Sequence, residues 1–240
     1  MRLIPWEELP ADMRTEEVRP FYDLLAKKRG QLLVKRLVDI CGSAVLLVLL
    51  SPVFAVLAIA IKVDSPGPVF YRQLRVTQYG KRFRIFKFRT MCDRADQIGS
   101  AVTVGNDARV TRVGKAIRRL RLDEISQLVD VFRGTMTFVG TRPEVPQYVD
   151  AYTPLMRATL LLPAGVTSMA SITFKDEADI LSFADNVDDA YIRSVLPRKM
   201  EFNLRDIESF SVSRDFSIML KTVSAVFGET SCSGEADEQV

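Results

Sequence analysis

The stretch LVDICGSAVLLVLLSPVFAVLAIAIKV, residues 37–63, decides how the rest of the chain is read. Nearly every position is apolar or small, with Asp39 near one end, Lys35-Arg36 before it, and Lys62 and Asp64 at the far end. It begins too far from Met1 and runs too long for a cleaved leader, so it is expected to stay in the mature protein. As one helix, residues 41–61 would reach roughly 31 Å, about the thickness of a bilayer's hydrocarbon core. Ser51-Pro52 interrupts the run at its middle, where proline removes a backbone donor and clashes with the carbonyl four residues earlier. A sharp kink is expected there. Two arms of roughly 15 Å would be able to enter and leave on one face, with the Ser51 hydroxyl satisfying a freed carbonyl. Basic residues at both ends fit that geometry, and these arguments leave a kinked span and a re-entrant pair equally open.

On the N-terminal side, residues 1–30 are rich in proline and charge and lack a clear period, which predicts a polar segment along the surface or loosely ordered. On the C-terminal side, Asp64-Ser65-Pro66-Gly67-Pro68 stops the helix. Residues 69–76 and 81–88, separated by Thr77-Gln78-Tyr79-Gly80, predict a β-hairpin. It is basic: residues 71–91 carry seven cations and no acid. Such charges form a solvated face or meet anionic lipid head groups. Lys87 and Arg89, two apart, would project from one strand face and are candidate phosphate ligands.

Residues 111–132 have helical character, as one helix or as two joined near Leu122. Arg112, Lys115 and Arg119 form a basic stripe, and Ile125, Leu128, Val129 and Phe132 an apolar one. At the junction sit Asp123 and Glu124, preceded by Arg118, Arg119 and Arg121. Adjacent carboxylates near arginines usually form a surface salt-bridge network, and neighbours on a helix diverge by about 100 degrees, so spacing alone does not assign them chemistry. Further on, Arg142-Pro143-Glu144 follows a short strand between Gly134 and Gly140. Arg142 there is either a partner for Glu144 or another nearby acid, or a bidentate clamp on a diphosphate.

The 240 residues carry a net charge of +3 and no histidine. Ser-His-Asp, Cys-His and histidine-metal mechanisms are therefore excluded, and acid-base chemistry falls to carboxylates, Lys, Tyr, Cys or substrate groups. Cys41, Cys92 and Cys232 lack metal-ligand or CxxC spacing. The C-terminal third includes Asp188-Asp189, read as solvated, and an amphipathic run at residues 216–227. Phe216, Met219, Leu220, Val223 and Phe227 lie on one side of that run, to pack on the core or lie at a membrane interface.

These pieces in order resemble the bacterial sugar transferase family, the monotopic phosphoglycosyl transferases that start glycan assembly on polyprenyl phosphate. The matching residues are Lys35-Arg36 with Asp39, Ser51-Pro52, the 64–70 stretch, Arg72-Gln73, Lys87 to Met91, Arg118, Leu122-Asp123-Glu124, Gln127-Leu128 and Arg142-Pro143. The resemblance covers about residues 33–227 and implies an α+β monotopic membrane protein of the small form. Its parts are a polar segment at 1–30, a re-entrant kinked helix at 31–63 broken at Ser51 and Pro52, and a mainly helical cytoplasmic transferase domain with a basic hairpin at 64–227. An acidic, disordered tail at 228–240 completes it. It implies location at the bacterial inner membrane, with the domain on the cytoplasmic face.

The reaction the resemblance implies is ping-pong. Asp123 takes the place of the nucleophile that attacks the sugar-bearing phosphate of a UDP-sugar and releases UMP, and polyprenyl (undecaprenyl) phosphate then attacks the intermediate. Glu124 takes the place of the group assisting that second step. Arg118, Arg142, Pro143, Lys87, Arg89 and Gln127 match substrate-binding positions, and Mg²⁺ at Asp123 is the implied cofactor. A carboxylate with a reference pKa of about 3.9 needs no histidine to activate it, although phosphate charge must be neutralised around it. The implied partners are a UDP-sugar, the lipid phosphate and the bilayer, with no nucleic acid; pairing with a second copy is left open. The chain departs from the family pattern at Thr77 (glycine), Thr135 (aspartate), Thr141 (proline), Ala164 (proline) and in the 165–171 segment. Two other readings compete: a non-catalytic, membrane-tethered protein whose basic surface binds anionic lipid or nucleic acid, and a DNA-binding helix at 109–121.

Overall fold

In the computed structural model, which describes residues 1–92, 95, 107–174 and 186–227, the apolar stretch forms two helices. A short α1, Arg19–Lys27, leads into α2, Arg29–Leu49, and α3, Ser51–Asp64. The axes of α2 and α3 are bent by 60° at the break between them. The Ser51 hydroxyl donates to the Val48 carbonyl at 2.8 Å, which is the carbonyl that proline at position 52 leaves without its amide partner. Kink and hydroxyl repair thus fall where the sequence places them. Among the described residues no single helix is long and apolar enough to cross a membrane, and this bent pair passes that test only together.

Residues 1–30 do not lie loosely on the surface. Leu3, Leu9, Met13, Val18, Phe21, Tyr22 and Leu25 are buried in the same core as Tyr148, Leu161, Leu196, Met200 and Phe210 from the far end of the chain. Trp6 stacks edge-on against Tyr22 at 5.2 Å, and the Tyr22 hydroxyl donates to Ile4 O at 3.0 Å. Short 3-10 turns, Trp6–Glu8 and Ala11–Met13, place Trp6 and Met13, while Val18 and the α1 residues Phe21, Tyr22 and Leu25 follow helical spacing over less than three turns. Proline sets the turns and scattered apolar side chains fill gaps, which is how a segment that reads as polar becomes core.

The hairpin forms as expected. β1, Phe70–Val76, pairs antiparallel with β2, Arg82–Phe88, around the turn Gln78–Gly80. The Tyr79 ring is buried and its hydroxyl accepts from Ile4 N at 3.2 Å, tying the turn to the N-terminal segment. The helical region does divide near Leu122. α4, Arg112–Arg119, ends, Arg121 turns left-handed (φ 55°), and a 3-10 segment, Leu122–Gln127, runs into α5, Leu128–Arg133. Gly134 closes α5 at φ 86°, a conformation glycine adopts without steric cost.

A second, parallel sheet of β3, Met136–Val139, and β4, Ala164–Thr167, follows, with α6, Pro146–Asp150, between the strands. Gly165 lies so close to Gly140 that a Cβ on it would meet Gly140 N at 2.2 Å. After β4 come α7, Met169–Thr173, α8, Val187–Ala190, a π-helical turn, Tyr191–Val195, α9, Leu196–Glu208, and α10, Val212–Phe227. Phe216, Leu220 and Val223 of α10 are exposed, so these positions of the predicted apolar stripe do not pack on the core, whereas Met219 is half-buried. The fold is mixed α and β, with two small sheets among the described residues, and the expected acidic tail lies outside them.

Lys35, Arg36 and Asp39 fasten α2 to this body. Asp39, 2% exposed, accepts from Thr137 Oγ1 at 3.0 and 2.8 Å and from Phe138 N at 3.1 Å. Lys35 donates to Val139 O at 2.8 Å and pairs with Asp215 of α10. Arg36 donates to Val131 O and Phe132 O at 2.7 and 2.8 Å, satisfying carbonyls that α5 leaves open at its end. At the other end, Leu57 and Ile61 of α3 bury against Phe88 and Ile117.

Candidate functional site

Four pieces of chain converge beside that junction: β2 with Lys87, the end of α4 with Arg118, the 3-10 segment with Asp123 and Glu124, and the loop after β3 with Arg142. The left-handed turn at Arg121 ends α4 early and starts the tighter 3-10 winding, where successive side chains diverge by about 120 degrees. Asp123 and Glu124 therefore face different surroundings within one small space.

Glu124 is fully engaged. Lys87 Nζ donates to its Oε1 at 3.3 Å, Arg142 Nη1 donates to Oε2 at 3.2 Å, and Arg142 Nη2 donates to Oε1. Burial alone pushes the Glu124 carboxyl up, but Arg142 and then Lys87 outweigh it and hold it well below the usual carboxylate range. Asp123 is half-buried and forms no ion pair, and accepts no hydrogen bond from another side chain, among the described residues. Burial raises its pKa, the Lys87 charge lowers it, and the neighbouring Glu124 charge raises it again, for a net rise. Lys87 feels both carboxylates, and its own pKa is lowered chiefly by burial.

Arg118 is oriented by a hydrogen bond from Nε to Thr90 Oγ1 at 2.8 Å and senses the charge of Asp123. Gly114 makes that approach possible, since a Cβ there would meet Thr90 O at 2.0 Å. Pro143 is buried, and its carbonyl accepts from Arg75 Nη1 at 3.1 Å. Gln127 is 2% exposed at the end of the 3-10 segment, behind the carboxylates. Arg89 is not part of the group. Its guanidinium donates to Pro66 O and Ser65 O, both at 2.7 Å, pinning the exit from α3.

Sequence reading also missed a buried network behind Arg142. Glu144 accepts from Tyr191 Oη at 2.5 Å, its carboxylate lies 3.7 Å from Lys199 Nζ and 3.9 Å from Arg75 Nη1, and Lys199 donates to Tyr191 Oη at 3.0 Å. Among the described residues Arg142 thus pairs with Glu124, while Glu144 belongs to the network with Arg75, Tyr191 and Lys199. No spacing links residues 75, 144, 191 and 199, so nothing in the sequence announces the network. Asp188 accepts from Tyr148 Oη at 2.6 Å, and among the described residues no cluster of three or more His, Cys, Asp or Glu side chains exists to hold a metal.

Fold and site together place a carboxylate, Asp123, without an ion-pair partner among the described residues, near cations at the foot of a bent apolar helix pair. The chain belongs to the bacterial sugar transferase family, whose description matches residues 30–229. It is 35% identical over 196 residues to the UDP-N-acetylgalactosamine-undecaprenyl-phosphate N-acetylgalactosaminephosphotransferase of Aeromonas hydrophila, covering 80% of this chain and 43% of that protein. It is 34% identical over 216 residues to the UDP-glucose:undecaprenyl-phosphate glucose-1-phosphate transferase of Escherichia coli, covering 88% and 44%. The exopolysaccharide production protein ExoY of Rhizobium meliloti is 29% identical over 209 residues, covering 81% and 85%. The chain thus spans less than half the length of the first two relatives.

Proposed function

We propose that the chain is a phosphoglycosyl transferase that moves a sugar phosphate from a UDP-sugar to undecaprenyl phosphate, starting assembly of an exopolysaccharide or related glycan. The names of its relatives support the reaction class, and the unpaired Asp123 carboxylate is the observation that carries the mechanism. An Asp123 oxygen attacks the sugar-bearing phosphorus; that bond forms as the phosphorus–oxygen bond to UMP breaks, leaving an aspartyl phosphosugar. A phosphate oxygen of the lipid then attacks the same phosphorus, the carboxylate leaves, and a polyprenyl diphosphate sugar results.

Lys87, Arg118 and Arg142 supply the charge that lets an anionic nucleophile approach a diphosphate. Glu124 holds Lys87 and Arg142 in place until phosphate oxygens replace it; once released it regains basicity and assists the second step. Mg²⁺ would be held by the Asp123 carboxylate, since one or two carboxylates with substrate phosphates suffice for that ion. The chemistry it would supply there is neutralisation of diphosphate charge.

The membrane reading is supported by the shared core. Residues before the helix pair and residues after it bury side chains in one cluster, so both flanks lie on the same side of any bilayer the pair enters. A crossing pair would separate them. Exposed Leu37, Val45, Val48, Leu49, Val56 and Ile59 give the pair an apolar surface for lipid. We place the pair as a re-entrant anchor in the bacterial inner membrane with the domain on the cytoplasmic face.

The test uses the full chain in detergent with undecaprenyl phosphate and a panel of UDP-sugars carrying a radiolabelled β-phosphate. The expected result is UMP release and a labelled protein adduct in the native chain, and neither in Asp123→Asn. Turnover by that variant at the native rate overturns the mechanism.

A further inference from the structure

On the face of the hairpin opposite Lys87, Arg72 and Arg133 converge on Phe86. Strand alternation separates the two faces, so this cluster is not part of the carboxylate site. The Arg72 guanidinium lies 3.4 Å from the Phe86 ring centroid and that of Arg133 lies 5.2 Å from it. Arg72 donates through Nε and Nη2 to Arg84 O at 3.1 and 2.5 Å, and Arg84 Nη1 donates back to Arg72 O at 3.3 Å. Asp130 is the carboxylate that feels both Arg72 and Arg133, and it is 2% exposed with one oxygen accepting from Phe86 N at 2.8 Å. Arg72 and Arg133 form no ion pair with a described residue. Two guanidinium groups therefore share one ring and one buried carboxylate, with Arg84 tied to the backbone beside them.

The surroundings say what completes that arrangement. Phe132, next to Arg133, is 47% exposed, and its carbonyl is the one Arg36 of α2 caps. Leu33 and Leu37, on either side of Arg36 in α2, are 63% and 61% exposed. From α3 a line of rings, Phe54, Phe88, Phe70 and Phe86, runs to the arginines with centroid steps of 5.2, 5.1 and 5.7 Å. Cations thus stand at the border where the apolar helix pair joins the polar body.

We propose that Arg72 and Arg133, braced by Phe86 and Arg84, hold the phosphate head group of an anionic phospholipid. A guanidinium stacked on a ring is preorganised, and its remaining donors match phosphate oxygens. Exposed Phe132 and Leu37 offer the acyl chains an apolar seat, which a free phosphate has no use for. The proposal rests on the membrane reading above only for the source of the lipid, and its test does not involve transfer activity.

The full chain in non-ionic detergent is titrated with short-chain phosphatidylglycerol, short-chain phosphatidylcholine and inorganic phosphate, with binding read by native mass spectrometry. Phosphatidylglycerol should bind most tightly. Arg72→Gln and Arg133→Gln should each weaken it by about fivefold, the worth of one basic residue at an anionic lipid surface, while Arg119→Gln on the far helix leaves it unchanged. UMP release by Arg133→Gln should match the native chain, which separates failure here from failure of the transfer mechanism. Arg133 is exposed, so its variant tests the site even where Arg72→Gln unfolds the hairpin. Equal affinity for phosphatidylcholine would reduce the site to an apolar seat, equal affinity for inorganic phosphate would make it a free-anion site, and an unchanged double variant would remove it; each overturns the proposal.

Discussion

The root of the helix pair and the carboxylate site are built from the same materials, cations with two carboxylates at a buried junction, yet they end in opposite states. At the root, Asp39, Lys35, Arg36 and Asp215 are all spent on protein: two strand residues, an α5 terminus and a helix-to-helix ion pair. At the site, Glu124 takes two cations and Asp123 takes none among the described residues. Charges that are all satisfied hold two parts of a fold together. A carboxylate surrounded by cations and left without a partner is available to a ligand, because burial without pairing is costly and persists only where something else benefits.

The largest effects should come from exchanging these states. Asp123→Asn is expected to lower UMP release by at least about a thousandfold, as loss of a nucleophile does, with the melting temperature unchanged or raised, since a buried unpaired charge is removed. Asp39→Ala should do the reverse. It strands the two strand donors, the Thr137 hydroxyl and the Phe138 N–H, at a cost of about 3 kcal/mol, seen as a lower unfolding midpoint in detergent, with the substrate-binding constants of the surviving folded fraction little changed. Equal damage to activity and stability in both variants would erase the distinction.

Much of this was legible in the sequence, for identifiable reasons. Proline has one strong backbone consequence, so the kink at Ser51-Pro52 and even its hydroxyl repair could be placed. Turn residues fixed the hairpin. The divided helix showed as a change from basic to apolar stripe at Leu122, though the left-handed Arg121 that makes the division did not, because arginine has no preference for that conformation. The pairing of Glu124 with Arg142 and Lys87 was out of reach, since it joins three elements through tertiary contact. Arg89 was misread for the same reason: its partners are backbone carbonyls of residues 65 and 66, which no side-chain motif encodes.

The departures from the family pattern sharpen the contrast on its structural side. Thr77, Thr135 and Ala164 meet: Thr77 Oγ1 donates to Thr135 O at 2.6 Å and accepts from Ala164 N at 3.1 Å. Glycine at 77 would lack that hydroxyl, and proline at 164 would lack the donor needing it. The two substitutions compensate one another. Thr77→Gly alone should cost about 1–3 kcal/mol by leaving a buried N–H unpaired, whereas adding Ala164→Pro removes the donor and should cost less than the sum of the single changes. Chemical denaturation of the four-member cycle measures the coupling; additive effects would mean that the hydroxyl is incidental.

The smallest expected effect separates Asp123 from Glu124 by pH. Glu124 has a depressed folded pKa, so the stability it contributes is present above its ordinary value of 4.5 and is lost only as pH falls through the lower folded value. Asp123 has a raised folded pKa, so its contribution is present below its ordinary value of 3.8 and is lost as pH rises through the folded value. If the Asp123 carboxylate is the nucleophile, the acid limb of kcat/KM lies above the ordinary aspartate range. Glu124→Gln should slow turnover and also move that limb to lower pH, because a neighbouring negative charge is gone and Lys87 and Arg118 are left to favour the ionised form of Asp123. The displacement should be about one pH unit or less, worth roughly 1.4 kcal/mol. A limb that stays in place or moves upward would assign the titration to another group, and the unpaired carboxylate would then be a consequence of the fold and not the centre of the chemistry.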